Sequence, residues 1–281
     1  MTESIDKFTN QVFNTKWEET LPLIPDNSVD IIITSPPYNV DLGNNKFKKD
    51  GYADFEDDMA YEEYLDWMEE LFTQSYRMLK TGGRICINIG DKKQSKEVTH
   101  VDFINRMKKV GFIMLVPIVW NKGQIGNRFA WGSYQSPAMP CFPTPFEYIL
   151  VMCKESLRHE GDKDKITVAA KDFQTNANAL WEFPPDTQMM KKWGHPATFP
   201  EELPRRLIQQ LTYADDIVVD PFSGSGTTCA VAKKLNRRYI GTEMSKKYYD
   251  VSLKRLGETS VSKVQVDEKT GKEVTTLDWM D

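Results

Sequence analysis

The chain has 281 residues, enough to bury a sizeable core, and its 40% hydrophobic and 27% charged content is ordinary for a globular protein. The sequence has no stretch of about 20 apolar residues, so it predicts no membrane-spanning helix. The polar segment Met1–Lys7 is unlike a signal peptide, and we expect a cytoplasmic protein. The formal net charge of −5 leaves nucleic-acid binding open, because the lysines are concentrated in a few places.

The four cysteines and three histidines show no spacing that is typical of a metal site. The cysteines are scattered and form no C-x-x-C pair. We therefore expect reduced, mostly structural thiols and no metal. The cysteines are Cys86, Cys141, Cys153 and Cys229.

The first strong element is a predicted buried strand, Val29–Thr34, which ends abruptly at Ser35-Pro36-Pro37-Tyr38. The two prolines remove two backbone donors and leave the carbonyls before them free as acceptors. A hydroxyl, a carbonyl and an aromatic ring would then meet at the carboxyl edge of a sheet, where α/β proteins bind ligands. This combination suits an amino group whose ring stacks on tyrosine, although an ordinary strand–turn is the simpler alternative.

The middle of the chain predicts helices alternating with strands. They are the helix 61–79, the strand 84–90, the helix 101–110, the strand 112–120 and the strand 147–153. Thr81-Gly82-Gly83 is expected to stop the first helix. Residues 121–145 predict a long irregular loop whose aromatic content favours a function. Residues 154–194 lose the strand–helix rhythm and predict an inserted, variable module.

Regular elements return near residue 201. They are the helix 201–213, the strand 216–220, the helix 227–235, the strand 238–243 and the helix 247–256. The polar tail after Gly257 predicts a hairpin or disorder. The whole pattern is that of an α/β protein with a mainly parallel sheet.

A glycine-containing loop, Asp220–Thr228, lies between a predicted buried strand and a helix. Its glycines allow a ligand to approach the backbone, and the start of the helix offers free N–H groups to an anion. The next strand ends in Glu243, where a carboxylate can accept both hydroxyls of a ribose. An adenosine-containing cofactor fits this half-site. A dinucleotide is the alternative, but its third glycine position is occupied by Cys229.

Together the two motifs resemble those of the S-adenosylmethionine-dependent amino-methyltransferases of DNA, and the resemblance covers about residues 10–256. Their order, with Ser-Pro-Pro-Tyr first and the glycine loop last, is similar to that of the circularly permuted β class. The resemblance implies a Rossmann-like sheet of the class I methyltransferase type. It also implies four parts, which are a catalytic half at 1–153, a target-recognition insertion at 154–194, a cofactor-binding half at 195–260 and a polar tail at 261–281.

The resemblance also implies roles for individual residues. The catalytic positions are Ser35, Pro36, Pro37 and Tyr38: Ser35 and the Pro36 carbonyl would accept hydrogen bonds from the target amino group, and Tyr38 would stack on the extruded base. The nitrogen would then attack the sulfonium methyl group directly. The cofactor-binding positions are Asp220, Pro221, Phe222, Ser223, Gly224, Gly226, Thr227, Glu243, Thr34, Thr198 and Phe199.

The chain departs from the family pattern at one place. Members commonly carry a Gly-Asp pair before the catalytic strand, whose acid contacts the adenine of the cofactor. The corresponding residues here are Asn14-Thr15-Lys16. Either Asn14 or Trp17 could replace that contact.

The target base is a separate question. Ser35 is typical of cytosine-N4 enzymes in this family and Asp of adenine-N6 enzymes, and residues 131–137 also resemble a cytosine-N4 segment. We therefore favour cytosine N4, with adenine N6 as the alternative. A cytosine-C5 enzyme using Cys141 fits poorly, because that cysteine lies in the irregular loop. A nicotinamide-dependent oxidoreductase is a remote alternative, and a catalytically silent DNA-binding relative is another.

Double-stranded DNA is the expected partner. A cognate restriction endonuclease and a homodimer stay open, and the recognition sequence cannot be read from the chain. Each candidate DNA contact has an ordinary alternative as a solvated charge or a packed ring. The candidates are Lys46, Lys48, Trp120, Lys122, Arg128, Ser133, Lys191, Lys192 and Trp193.

Overall fold

The computed structural model describes most of the chain. The described residues are 4–39, 59–91, 97–123, 133, 135–140, 142, 144–186, 192–193, 199–259, 264–266 and 273–275. Among them, no helix has the length and apolar character needed to cross a bilayer.

Eight strands form one sheet in the order β1-β8-β7-β2-β3-β5-β4-β6. Their bounds are β1 Gln11–Phe13, β2 Val29–Thr34, β3 Leu79–Ile89, β4 Phe112–Asn121, β5 Phe146–Lys154, β6 Leu180–Glu182, β7 Ile217–Asp220 and β8 Arg238–Thr242. Every pairing in this described sheet is parallel except those made by β5. The amino end of β5 therefore lies at the same edge as the carboxyl ends of the other strands.

Helices cover both faces of the sheet. Their bounds are α1 Trp17–Thr20, α2 Tyr61–Met78, α3 Thr99–Val110, α4 Ala170–Asn176, α5 Glu202–Leu211, α6 Thr227–Lys234 and α7 Lys246–Glu258. Side chains alternate along a strand, so Ile32 packs with the core under α2 and α3, while Ile31 and Ile33 pack with the core under α5 and α6. The predicted α/β class with a mainly parallel sheet is confirmed.

The stop expected at Thr81-Gly82-Gly83 was wrong. Helix α2 ends at Met78, and Leu79 is already the first residue of β3, where it is buried and pairs with Val29. Gly82 lies inside that strand with φ of +76°, and a Cβ there would lie 1.9 Å from the carbonyl oxygen of Arg158. The glycine is needed because another segment of backbone crosses β3 at this point.

Part of the segment expected to be an irregular insertion belongs to the main sheet. Strand β6 pairs in parallel with β4, so that Trp120 lies opposite Trp181. Strand β1 and helix α1 were not predicted. In the tail, β9 Val264–Val266 pairs antiparallel with β10 Glu273–Thr275, which confirms the hairpin alternative.

Candidate active site

The two motifs of the sequence meet at the carboxyl edge of the sheet. Strands β2 and β7 are neighbours, with Ile31 opposite Val218. The Thr34 hydroxyl at the end of β2 donates to Asp220 Oδ1 at the end of β7 over 2.7 Å. The sheet thus brings Ser35-Pro36-Pro37-Tyr38 beside the glycine loop, although they are far apart in the chain.

The glycine loop is held against Glu243, which follows β8. One oxygen of the Glu243 carboxylate accepts from the Gly224 N–H and the other from the Ser245 N–H, each over 2.8 Å. Gly224 and Gly226 have φ of +51° and +77°, in the left-handed region that favours glycine. The loop conformation therefore explains both glycines and fixes the carboxylate in place.

Asp220 is buried, with 2% of its surface exposed. Its Oδ1 accepts from the Thr34 hydroxyl and also from the Phe222 N–H at 3.1 Å. Burial raises the pKa of Asp220 to about 6, and these hydrogen bonds limit the rise. A buried carboxylate of this kind favours a ligand that brings a positive charge.

The surroundings of the loop fit a polar ligand that contains an aromatic ring. The hydroxyls of Ser223 and Ser245 are buried and have no hydrogen-bond partner within the described part of the chain. Such orphaned groups are costly unless a ligand or water satisfies them. The half-buried Phe222 ring lies 5.5 Å from the Trp67 ring, centroid to centroid, and forms an apolar wall. A carboxylate, orphaned hydroxyls and an aromatic wall together suit an adenosine-containing ligand.

Other predicted cofactor residues have structural contacts. The Thr227 hydroxyl accepts from Arg255 over 2.8 Å, and the Pro221 carbonyl accepts from Thr242 over 2.6 Å. Phe199 is half-buried against the core under α5 and α6. Thr198 lies outside the described residues. Direct ligand contact by this group stays a prediction.

The second half of the site is built around Ser35. The Ser35 hydroxyl lies 3.1 Å from the backbone carbonyl oxygen of Asn88 and 3.2 Å from the Tyr38 hydroxyl. The Tyr64 hydroxyl donates to the Pro37 carbonyl over 2.6 Å and so fixes the Pro-Pro corner. A hydroxyl and an aromatic ring are thus held side by side, as the strand-and-corner pattern predicts.

Three residues of this half were missed by sequence reasoning, namely Asn88, Glu147 and Tyr64. Asn88 is 3% exposed at the end of β3, and Glu147 stands at the start of β5. A polar residue inside an otherwise apolar strand is a signal that could have found Asn88, whereas Glu147 stands at a strand end, where a charged residue is ordinary. Tyr64 has the spacing of a core residue and gives no such signal.

The structure separates the predicted DNA contacts into different surroundings. Trp120 is 2% exposed and stacks on Phe183, and Trp193 is 7% exposed with the Arg255 guanidinium over its ring. Lys122 lies in the site, where its ammonium binds Glu147. DNA contact by these three residues stays a prediction.

The remaining predicted DNA contacts are less informative. Lys192 is exposed and lies 3.5 Å from Glu258, and Ser133 forms a local turn with Ser136 and Met139. The other four lie outside the described residues, as does Cys141. These four are Lys46, Lys48, Arg128 and Lys191.

The two alternatives for the missing acidic residue lie in different places. The Asn14 amide donates to the backbone carbonyls of Glu243 and Met244 over 2.9 and 3.1 Å, so it supports the end of β8. Trp17 is buried beside Trp67. Asn14 is therefore the one that lies next to Glu243, and an adenine contact by either residue stays a prediction.

One cluster with metal-ligand chemistry lies at the opposite edge of the sheet, where Asp30, His159 and Asp216 converge. The Asp30 carboxylate already accepts from Lys80 and from the Ile217 N–H. The Asp216 carboxylate accepts from the Tyr213 N–H. These hydrogen bonds account for both carboxylates, and the cluster is remote from the site described above.

Comparison with known proteins adds to this geometry. A family model of DNA methylases of the N6 and N4 type matches residues 29–254. The chain is 31% identical to the type II methyltransferase M.BglII of Bacillus subtilis, over 86% of this chain and 68% of that protein. It is 30% identical to the DNA adenine methyltransferase YhdJ of Escherichia coli K12, over 84% of this chain and 79% of that protein.

Solved structures extend the similarity to the fold. The candidate DNA modification methylase TTHA0409 of Thermus thermophilus, complexed with S-adenosyl-L-methionine, superposes with a TM-score of 0.68 at 26% identity. The match covers 95% of this chain and 99% of that one. The fold is the Rossmann-like one of class I methyltransferases, as the motifs implied. The chain belongs to the N6/N4 family of DNA methylases.

Proposed function

We propose that this protein transfers a methyl group from S-adenosylmethionine to the N4 amino group of cytosine in double-stranded DNA. The observation that carries the proposal is the Ser35 hydroxyl, held at the end of β2 beside Tyr38 and the glycine loop. The Asn88 carbonyl can only accept a hydrogen bond, so the Ser35 hydrogen can point towards it. The Ser35 lone pairs then stay available to an amino group.

The glycine-loop half of the site would hold the cofactor. The Glu243 carboxylate would accept the ribose hydroxyls, because its oxygens keep acceptor capacity after binding Gly224 and Ser245. Asp220 would face the cationic methionine part, and the wall at Phe222 would face the adenine. S-adenosylmethionine, when bound, supplies an electrophilic methyl group. TTHA0409, which is similar over nearly its full length, was solved with this cofactor.

The Ser35 half would prepare the acceptor. The base must leave the DNA stack at a cost of a few kcal/mol, and stacking on Tyr38 recovers part of that cost. Its amino lone pair is delocalised into the ring and is a poor nucleophile. Ser35 and the Pro36 carbonyl would each accept one amino hydrogen, which favours a pyramidal nitrogen. Positioning and electrostatics would supply most of the acceleration.

Adenine N6 is the second candidate, and it is favoured by the similarity to the DNA adenine methyltransferase YhdJ. Against it stands Ser35, where the adenine-type pattern has aspartate. Both side chains accept hydrogen bonds, so the preference for cytosine rests on the family pattern at Ser35.

Analysis of the methylated nucleoside tests the proposal directly. The purified protein is incubated with tritiated S-adenosylmethionine and DNA of mixed sequence, and the digested nucleosides are separated by mass. We expect N4-methylcytosine, and N6-methyladenine would assign the alternative instead. Ser35→Ala should lower the rate by about 100-fold or more, as expected when a positioned transition-state contact is lost. The matched control Ser4→Ala, in an exposed turn, should keep the wild-type rate.

The proposal extends to the biological setting. M.BglII is a type II methyltransferase, and such a role would pair this enzyme with a restriction endonuclease acting on the same site. Residues 154–194 would contribute to target recognition. A homodimer is a prediction that light scattering of the purified protein checks.

A further inference from the structure

We propose that Glu147 is a positioning residue for methyl transfer, which sets the direction of the hydrogen bonds that end at Ser35 and Tyr38. This inference rests on the proposed function, because it needs Ser35 and Tyr38 at the reacting amino group. It assigns a role to a carboxylate that neither motif contains.

The Glu147 carboxylate lies at the centre of a small polar network. Its Oε2 accepts from the Tyr38 hydroxyl over 3.2 Å and from the Asn88 amide nitrogen over 2.8 Å. Its Oε1 accepts from the Lys122 ammonium. The side chains of Glu147 and Lys122 are only 16% and 18% exposed, so water screens this pair less than it would at the surface. An ammonium can only donate, so Lys122 holds Oε1 of Glu147 as an acceptor.

An ionised carboxylate can only accept hydrogen bonds, and this fixes its neighbours. Tyr38 has one hydroxyl hydrogen, which it gives to Glu147. The Tyr38 oxygen can then only accept, and the Asn88 amide nitrogen donates to it over 2.9 Å. The amide of Asn88 is held in one orientation, because its nitrogen faces both acceptors.

The same logic extends to Ser35. Two groups lie beside the Ser35 hydroxyl, the backbone carbonyl of Asn88 and the Tyr38 oxygen. Both are acceptors when Glu147 is ionised. The Ser35 hydrogen therefore points into the network, and its lone pairs face away from it. With glutamine in place of Glu147, the amide oxygen faces the Lys122 ammonium and the amide nitrogen faces Tyr38, whose hydroxyl hydrogen can then go to Ser35. One Ser35 lone pair would then accept from Tyr38 and would no longer be available to the target amine.

Two further observations indicate that the network serves function rather than stability. The Asn88 side-chain oxygen is buried and has no partner within the described residues, which lowers stability. Gly90 lies where a Cβ would come within 3.2 Å of Glu147 Cγ and 3.3 Å of Tyr38 Cε2. The end of β3 is thus shaped to bring these two side chains together.

A double-mutant cycle on the full-length protein tests the inference, with saturating cofactor and steady-state conditions that measure kcat and KM for DNA separately. We expect Glu147→Gln to lower kcat by about 10- to 100-fold, the range known for outer hydrogen-bond partners at metal sites, with little change in KM for DNA. In the Tyr38→Phe background the same change should have less than about a 2-fold effect, because the hydroxyl through which Glu147 acts is gone. The matched control Glu69→Gln removes an ion-paired carboxylate on α2 and should keep the wild-type kcat.

Lys122→Met gives a second, independent measurement. If Lys122 serves Glu147, kcat falls and the salt dependence of DNA affinity is unchanged. If Lys122 instead binds a phosphate, kcat is unchanged and the salt slope falls by about one unit, which overturns the inference.

The outcomes separate this inference from the proposed function. Full activity of Ser35→Ala would overturn the proposed function itself. Loss of activity in Ser35→Ala together with a wild-type kcat in Glu147→Gln would overturn only the role of Glu147. Additive effects in the cycle would do the same. Circular dichroism melts of each variant confirm that the compared proteins are folded.

Discussion

The Thr34 hydroxyl and the Asp220 carboxylate form a 2.7 Å hydrogen bond between residues that are 186 positions apart in the chain. Each is the last residue of its strand, and the two strands are neighbours in the centre of the sheet. In the proposed function, the bond joins the target half of the site to the cofactor half. The sheet would then set the relative position of methyl donor and acceptor.

Thr34→Val tests this link with a nearly isosteric change. Asp220 would keep the Phe222 N–H but lose the Thr34 hydroxyl. We expect the free energy of unfolding at pH 8 to fall by about 1.5–3 kcal/mol, the range for a hydrogen bond to a charged group. Thr73→Val on the exposed side of α2 is the control, and chemical denaturation of both variants is the measurement. Equal stability of the two would contradict the link.

Asp220 predicts an unusual dependence of stability on pH. Its pKa is raised by burial from 3.8 to about 6, so the folded state binds a proton more tightly than the unfolded chain does. The contribution of Asp220 to the free energy of unfolding therefore falls as pH rises from about 4 to about 6. Above that range it does not fall further. The free energy of unfolding of Asp220→Asn at pH 8 should therefore exceed that of wild type by up to about 3 kcal/mol, since one pKa unit corresponds to about 1.4 kcal/mol. Its melting temperature should be higher accordingly. At pH 4 the two proteins should melt alike.

The same group predicts how cofactor affinity responds to pH. The amino group of S-adenosylmethionine is a cation, and an ionised Asp220 attracts it more strongly than a protonated one. We expect the dissociation constant of the cofactor to rise as pH is lowered through 6. Isothermal titration between pH 5 and pH 8 measures it. In Asp220→Asn the affinity should be weak and should lack this dependence.

Glu243 and Asn14 should differ in their effect on the cofactor. Glu243→Gln places an amide nitrogen where the carboxylate now accepts backbone N–H groups, and we expect affinity to fall by about 10- to 100-fold. Asn14→Ala removes only the support of the β8 end, and a loss of about 2- to 10-fold is expected. Direct titration with S-adenosylmethionine ranks them. The reverse order would indicate that Asn14 itself contacts the adenine.

Two glycines offer a matched pair for stability. Gly226 has φ of +77°, and a Cβ there would lie 2.9 Å from Ser252 Cβ, so Gly226→Ala should destabilise by about 1–3 kcal/mol. Gly257 lies in α7 with open space around it, and Gly257→Ala should stabilise by about 0.5–1 kcal/mol. Thermal melts of both variants measure the difference. A melting temperature for Gly226→Ala at or above that of wild type would show that the loop does not need glycine.

The sequence predicted the parts of the site that depend on local pattern. The apolar run of β2, the Pro-Pro corner and the glycine loop each have a signature within ten residues or so, and the strand and helix beside them follow from periodicity. What depends on pairing between distant segments was not predicted. Gly82 was interpreted as a helix stop because the crossing of Arg158 over β3 has no local signal. Strand β6 was not predicted for the same reason, because its three residues form a strand only by pairing with β4.

Glu147 shows most clearly which site residues a sequence pattern does not predict. Its place in the site depends on β5 running against the other strands, which brings its first residues, and not its last, to the functional edge. Alternation and hydrophobicity do not report the direction of a strand. A carboxylate at the start of an apolar strand was therefore indistinguishable from a solvated end residue.

That reversed strand has a consequence for how such enzymes diversify. The chain leaves the active-site edge after Lys122 and returns to it at Phe146, and the Lys122 N–H donates to the Pro145 carbonyl over 2.8 Å. Together with the Lys122–Glu147 ion pair, this hydrogen bond holds the two ends of the intervening segment together. The position of Glu147 at the active-site edge is thus fixed by contacts at the two ends of that segment. Under the proposed function, changes in target recognition outside the paired strands β4 and β5 would then leave the reacting groups in place.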